Sequence, residues 1–237
     1  MLFSQCWPAT PCTLLTAPHT SPCCHRCPSA GLLAAQLTLT TVIGALMVFC
    51  APVKAFVHAN PWLLLASMLV SFGIILTFSF SQAARQSHPT NLILLFAFTV
   101  VEGVLVGAIS SQYRTDVVVM AFGLTAGISY ALCAYALNTK KDFTYMGGLL
   151  YTMLTTLVLT SLIAMFFPTP LMNLIISVFG ALLFSVYMIY DVQMLVGGKH
   201  QFKLSPDEYV FGAVAIYLDI INLFLHILRI LGSNRNN

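Results

Sequence analysis

Seven apolar stretches dominate this chain, at roughly 31–53, 61–84, 91–111, 117–137, 145–167, 171–195 and 208–231. Each is close to the ~20 residues that an α-helix needs to cross the hydrocarbon of a bilayer. Of the 237 residues, 59% are hydrophobic and only 7% are Asp, Glu, Lys or Arg. An ordinary soluble domain is roughly a quarter charged, and a single soluble core of this length could not bury so much apolar surface. In lipid, only helices and closed barrels satisfy their own backbone, and the strand-length alternation of a barrel is absent. The expected fold is therefore an all-α membrane protein, a seven-helix bundle over residues 31–232. The connectors "KAFVHANP", "RQSHPTN", "QYRTD", "NTKKDFT", "FPTP" and "GGKHQFKLSPDE" are short, which makes successive helices antiparallel.

Basic residues in the connectors set the orientation. Arg85, Lys140, Lys141, Lys199 and Lys203 fall on one side, and Lys54 and Arg114 on the other, so the N-terminus is expected in the cytosol. Seven full spans put the tail, residues 233–237, on the far side; a last segment that dips in and returns would leave it cytosolic. The net charge of +3 is dispersed and is no footprint for nucleic acid. Residues 1–30 hold five of the seven cysteines and no acid, and are expected to be disordered. "CCHRC" has zinc-ligand residue types but no finger spacing. Cys50 and Cys133 lie within or beside apolar runs and read as packed thiols rather than a disulfide framework. Gly103 with Gly107, and Gly123 with Gly127, are small pairs four apart that suit close helix contact.

All seven acids lie at or after Glu102. Asp116 and Asp142 read as solvated connector charges beside basic residues. In "SPDE", Ser205, Pro206 and Glu208 form a helix-start signature. Glu102, Asp191 and Asp219 remain within spans, where an unpaired acid costs at least ~2.5 kcal/mol at the helix centre. Glu102 could be held as a protonated carboxyl bonded to a neighbouring helix. At 100° per residue, Glu208, Gly212, Ala215, Asp219, Asn222, His226 and Arg229 share one face of the last helix. A helix apolar almost all round, with one polar seam, belongs at the centre of a bundle. Asn222 and His226 on that seam suit interhelical hydrogen bonds or a pore lining. Asp191 shares its face with Gly180, Phe184 and Tyr187.

The sixth and seventh spans are antiparallel neighbours, so Asp191 and Asp219 can meet, although their distances from the helix ends, ~9 Å and ~20 Å, do not match automatically. Two close carboxylates in low dielectric resist ionising together. They would share a proton at low pH, then ionise, repel and attract a cation as pH rises, which describes a pH-gated site for a hard cation such as Ca²⁺. Arg85, near the end of the second span, either latches to Asp191 or snorkels to headgroups.

"GALLFSVYMIYD", "KLSPDEYVFGAVAIYLDIINLFLHILRIL", "NLILLFAFTVVEG" and "LNTKKDFTYMGG" resemble the transmembrane Bax-inhibitor-motif family, in its lifeguard branch, from about Leu32 to Gly232. The resemblance implies six helices around a central seventh, and a cation-permeable protein of Golgi or endoplasmic reticulum membranes. Such proteins leak store Ca²⁺ and restrain cell death. It implies that Asp191 and Asp219 are the pH-sensing, cation-binding pair, and that Arg85 is a latch on the closed state. Glu102 matches an acid typical of the branch. The lipid bilayer, Ca²⁺ as permeant ion and Bcl-2-family or other death-pathway membrane proteins are the implied partners; no cofactor is implied. One departure is "HRCPSAG", where the family carries a basic, aromatic stretch. It leaves the first span expected short at its cytosolic end and marks residues 1–30 as an alternative exon or gene-model artefact.

Other classes fit less well. Intramembrane aspartyl proteases also pair two membrane aspartates over one proton, but their Gly-x-Gly and Pro-Ala-Leu signatures are missing around Asp219, and no proline follows Pro206. The chain is accordingly read as no enzyme. A retinal protein would need a lysine in the seventh span, which has none. A non-conducting scaffold for death-regulatory proteins is the alternative that would not require acids inside the membrane.

Overall fold

The computed structural model describes residues 23–81, 90–167, 169–196 and 209–235. Among them are eight α-helices: α1 (Cys23–Phe49), α2 (Ala51–Ala59), α3 (Trp62–Phe80), α4 (Thr90–Ser110), α5 (Thr115–Asn138), α6 (Gly147–Phe166), α7 (Pro170–Val196) and α8 (Tyr209–Arg235). A 3-10 turn over Thr144–Met146 leads into α6, and no strand occurs among the described residues. Seven helices are long and apolar enough to cross a membrane, with spans at Ser29–Phe49, Trp62–Phe80, Thr90–Ser110, Thr115–Asn138, Thr144–Phe166, Pro170–Val196 and Val210–Ser233.

Two boundaries differ from expectation. The first apolar run was read through to 53, but α1 stops at Phe49, Cys50 turns to an extended conformation (φ −86°, ψ 106°), and the short α2 follows. Pro52 is the cause: it has no N–H to donate and its ring collides with the carbonyl four residues back. At the other end α1 begins at Cys23, well before the expected start at 31, so the first span is not shortened. The last helix is one unbroken 27-residue element, about 40 Å long at 1.5 Å per residue, and does not turn back on itself.

The α4 glycines explain how α4 sits on α1. A Cβ added to Gly107 would lie 2.7 Å from Met47 Sδ and 3.1 Å from the Gly44 Cα. Without a water-driven hydrophobic force in lipid, such backbone proximity supplies the dispersion contact that holds helices together. Gly123 and Gly127 do not repeat this: no other side chain or helix stands within 4 Å of their missing Cβ atoms. Their expected role as a second helix contact is not seen among the described residues.

Helix α8 packs against α1, α4, α5 and α7. In its most apolar window 67% of residues are buried, against 44% or less in every other span. Buried residues such as Ile216, Tyr217, Asp219, Ile221 and Leu223 point in all directions around its axis, as an all-round apolar helix requires. By contrast α3 packs mainly on α4, and α6 on α7; both present broad apolar faces outward.

Candidate functional site

Three contacts fix the register of α7 on α8. Gly212 lies against Leu195, where an added Cβ would come 2.6 Å from Leu195 Cδ1. One helical stretch further along α8, the Asp219 carboxyl is hydrogen-bonded to that of Asp191. Further still, the His226 ring fills the space over Gly180, which a Cβ would close. These contacts ascend α8 as they descend α7, so the pair is antiparallel and the two aspartates stand at one depth. Gly212, Asp219 and His226 are seven residues apart, two turns each, as the polar seam predicts.

The acid pair is enclosed. Asp219 is 4% exposed and Asp191 part-buried. A hydrogen bond between two carboxyls needs a proton on one of them. Tyr187 lies close enough to interact with both acids, and Cys133 of α5 with Asp219. The second oxygen of Asp219, Oδ2, has no hydrogen-bond partner among the described residues. Two carboxylates offer at most four oxygens, whereas Ca²⁺ takes six to eight, and no group of three His, Cys, Asp or Glu side chains able to hold an ion occurs among the described residues.

The other seam residues divide. His226 is 7% exposed and stacks on Phe184, with ring centroids 5.7 Å apart and planes 25° from parallel. Asn222 turns back on its own helix, donating from Nδ2 to the Leu218 carbonyl at 2.8 Å. That uses one of the two N–H groups of its amide within α8, and no interhelical hydrogen bond of Asn222 is seen among the described residues. Arg229 is exposed.

A second polar cluster occupies the opposite side of α8. Tyr217, fully buried, shares a 2.7 Å hydrogen bond between its hydroxyl and Thr40 Oγ1 of α1, and meets Phe98 edge to face at 6.1 Å. Glu102 of α4 is 5% exposed and accepts a hydrogen bond from Ser71 of α3, the neighbouring-helix bond expected for it. It also lies near enough to Tyr217 to interact electrostatically. Above Glu102 on α4, Thr99 accepts a 3.2 Å bond from Gln36 Nε2. The sequence pointed to Glu102 but not to Thr40, Ser71, Gln36 or Tyr217.

Near the pair, Gln193 ties α7 to the α5–α6 connector. Its Nε2 donates to the Lys141 carbonyl at 2.9 Å and its Oε1 accepts from the Phe143 N–H at 2.8 Å. In the same connector Asp142 accepts bonds from the N–H and hydroxyl of Thr144, and Asp116 pairs with exposed Arg114 at 3.3 Å. Asp116, exposed in the first turn of α5, is the solvated charge expected of it, whereas Asp142 is part-buried and holds the turn at Thr144 rather than standing free in water. Arg85, and Ser205, Pro206 and Glu208 of the helix-start signature, lie outside the described residues.

The sequence matches the family described as "Inhibitor of apoptosis-promoting Bax1" over residues 30–236. The mouse protein named "Protein lifeguard 4" is 40% identical over 200 residues, which cover 84% of this chain and 81% of that one. A protein of vaccinia virus (strain Lister) named "Golgi anti-apoptotic protein" is 39% identical over 201 residues, covering 85% and 81%. The family match covers the positions of the seven spans and of Asp191 and Asp219, and with the two relatives it places the chain in the Bax inhibitor family of multi-pass membrane proteins, among its lifeguard members.

Proposed function

We propose that this protein is a pH-sensitive, Ca²⁺-permeable leak channel of a Golgi or endoplasmic reticulum membrane that lowers store calcium and restrains apoptosis. The relatives' names support the location and the anti-apoptotic role. The observation that carries the ion-conducting reading is the buried Asp191–Asp219 pair at the interface of α7 with the most buried helix. A pair of this kind has no packing advantage over two apolar side chains, so its retention inside a membrane calls for a function.

The mechanism follows from the proton. While one proton is shared, the carboxyls bridge α7 and α8 and leave no full dianion to draw a cation in. As pH rises the proton leaves, the two charges repel across a short distance in low dielectric, and the pair becomes an attractive site for a divalent cation. Helix α8, packed on four neighbours, would carry that change to the rest of the bundle. Asp219→Asn and Asp191→Asn replace one acid by a neutral amide that can still donate to the other. Purified protein in liposomes, assayed for Ca²⁺ efflux across a pH series, should show efflux increasing with pH in the wild type. Either variant should flatten that profile. Unchanged efflux in both variants would sink the reading, leaving a scaffold role that needs no membrane acids.

A further inference from the structure

A crevice of about 500 Å³ runs between α1 and α5. Both helices pack on α8, but they stand apart from each other, and α8 forms the floor with Ile220, Ile221 and Phe224. The walls reach from Leu37 to Phe49 on α1 and from Val118 to Cys133 on α5, which at 1.5 Å per residue is a slot about 18–22 Å long. Its lining is almost wholly hydrocarbon. Phe49, Val119 and Phe122 at its rim are each more than half exposed, and all three belong to membrane-spanning helices. The slot therefore opens sideways into the bilayer rather than to water.

One end is polar. Ser110, the last residue of α4, is 3% exposed, lines the slot, and has a hydroxyl with no partner among the described residues. Most helical hydroxyls here are satisfied by their own helix: Ser111 donates to the Ala108 carbonyl and Thr125 to the Ala121 carbonyl, both at 2.8 Å. Ser129, deeper in the slot, also lacks a partner; what sets Ser110 apart is its place at the end of its helix. Ser110 is the last residue of its span, and the ends of a span meet the interfacial region where lipid ester groups lie.

We infer that this slot is a binding site for one acyl chain of a bilayer glycerolipid, with its ester carbonyl accepting a hydrogen bond from Ser110 and its methyl end directed toward Cys133. A narrow, apolar, laterally open slot of this length suits a single extended chain better than a folded polypeptide segment or a water-soluble ligand. Cys133 borders Asp219, so an occupying chain covers the α5 side of the acid pair. That consequence rests on the channel reading; the occupancy does not.

The test uses the full chain in phosphatidylcholine vesicles carrying a trace of phosphatidylcholine with a photoreactive diazirine near the end of one acyl chain. After irradiation, labelled peptides are mapped by mass spectrometry. Label should concentrate on α5 around Ser129–Cys133 and on α1 around Leu37–Thr41, above the exposed faces of α3 and α6. Ala126→Trp and, from the other wall, Ala45→Trp fill the slot and should each reduce this label to the level of those faces. Leu159→Trp on the outer face of α6 should leave it unchanged. Label spread over all helices in proportion to exposure, or label unaffected by both filling variants, overturns the site. So does labelling by a free photoreactive fatty acid but not by the phospholipid. Ca²⁺ efflux plays no part in these readouts, so they stand or fall apart from the channel reading.

Discussion

Tyr217 and Asp219 are two residues apart on α8 and face opposite ways: the Tyr217 hydroxyl bonds Thr40 of α1, while the Asp219 carboxyl bonds Asp191 of α7. One helix thus separates two buried polar clusters. The first pairs a phenol with a threonine and includes Glu102, bonded to Ser71; the second sets two carboxyls face to face.

This separation predicts different pH behaviour on the two sides. The shared proton of the acid pair holds α7 to α8 at low pH, and its loss leaves two like charges facing each other. The stabilising contribution is therefore present at low pH and disappears as pH rises. Thermal unfolding of detergent-solubilised protein should show a midpoint that falls with rising pH, and Asp219→Asn should flatten the dependence, because an amide donor to Asp191 survives at every pH.

Tyr217→Phe should act only on stability. Losing the Thr40 bond costs about 0.5–1.5 kcal/mol, read as a lower unfolding midpoint. The pH profile of Ca²⁺ efflux should keep its shape, because the acid pair on the other face is untouched. A changed profile would show that the two clusters are coupled through the helix.

Ser71→Ala removes the donor that meets Glu102. A buried carboxyl left without its partner costs about 1–3 kcal/mol. Glu102→Gln made in the Ser71→Ala background should recover little, whereas Glu102→Leu in that background should recover more, since replacing both partners by apolar groups removes the unmet demand. Unfolding midpoints of the single and double variants decide this.

Gly180 is the floor beneath the His226 ring, so Gly180→Val should overpack the α7–α8 interface at a cost of about 1–3 kcal/mol. His226→Ala empties the same space, and the double variant should regain part of the lost stability. Equal losses that simply add would mean the ring and the glycine do not share the space.

Arg85→Ala tests the proposed latch. If Arg85 holds the closed state by pairing with Asp191, its removal should raise resting Ca²⁺ efflux from liposomes and move the pH midpoint. An unchanged leak with an unchanged midpoint excludes the latch.

The spans were legible because run length alone distinguishes a membrane helix, and the polar seam at Gly212, Asp219 and His226 was legible because its spacing of seven keeps one face. The facing set on α7, Gly180, Phe184 and Tyr187, was legible for the same reason. The break at Cys50 was marked by Pro52 but masked by the continuing hydrophobicity of the run. The Tyr217 cluster left little trace. Thr38 and Thr41 donate to their own helix, to the Ala34 and Leu37 carbonyls at 2.7 Å each, and nothing in the sequence sets Thr40 apart from them. Only the approach of α1 to α8 makes it the partner of a buried phenol, although a tyrosine in a span always raises the question of where its hydroxyl goes. The partition of Asn222 to its own carbonyl is equally invisible to periodicity, since facing a neighbour and bonding it are separate facts.

The Gln193 tie bears on how the acids respond to losing their proton. Two residues beyond Asp191, it moors α7 to the backbone at Lys141 and Phe143, while two residues before Asp219 the Tyr217–Thr40 bond moors α8 to α1. Both carboxyls are thus carried on segments moored to other parts of the bundle. On the channel reading proposed above, a cation drawn in by the ionised pair would therefore meet both helices through segments already tied to the rest of the bundle.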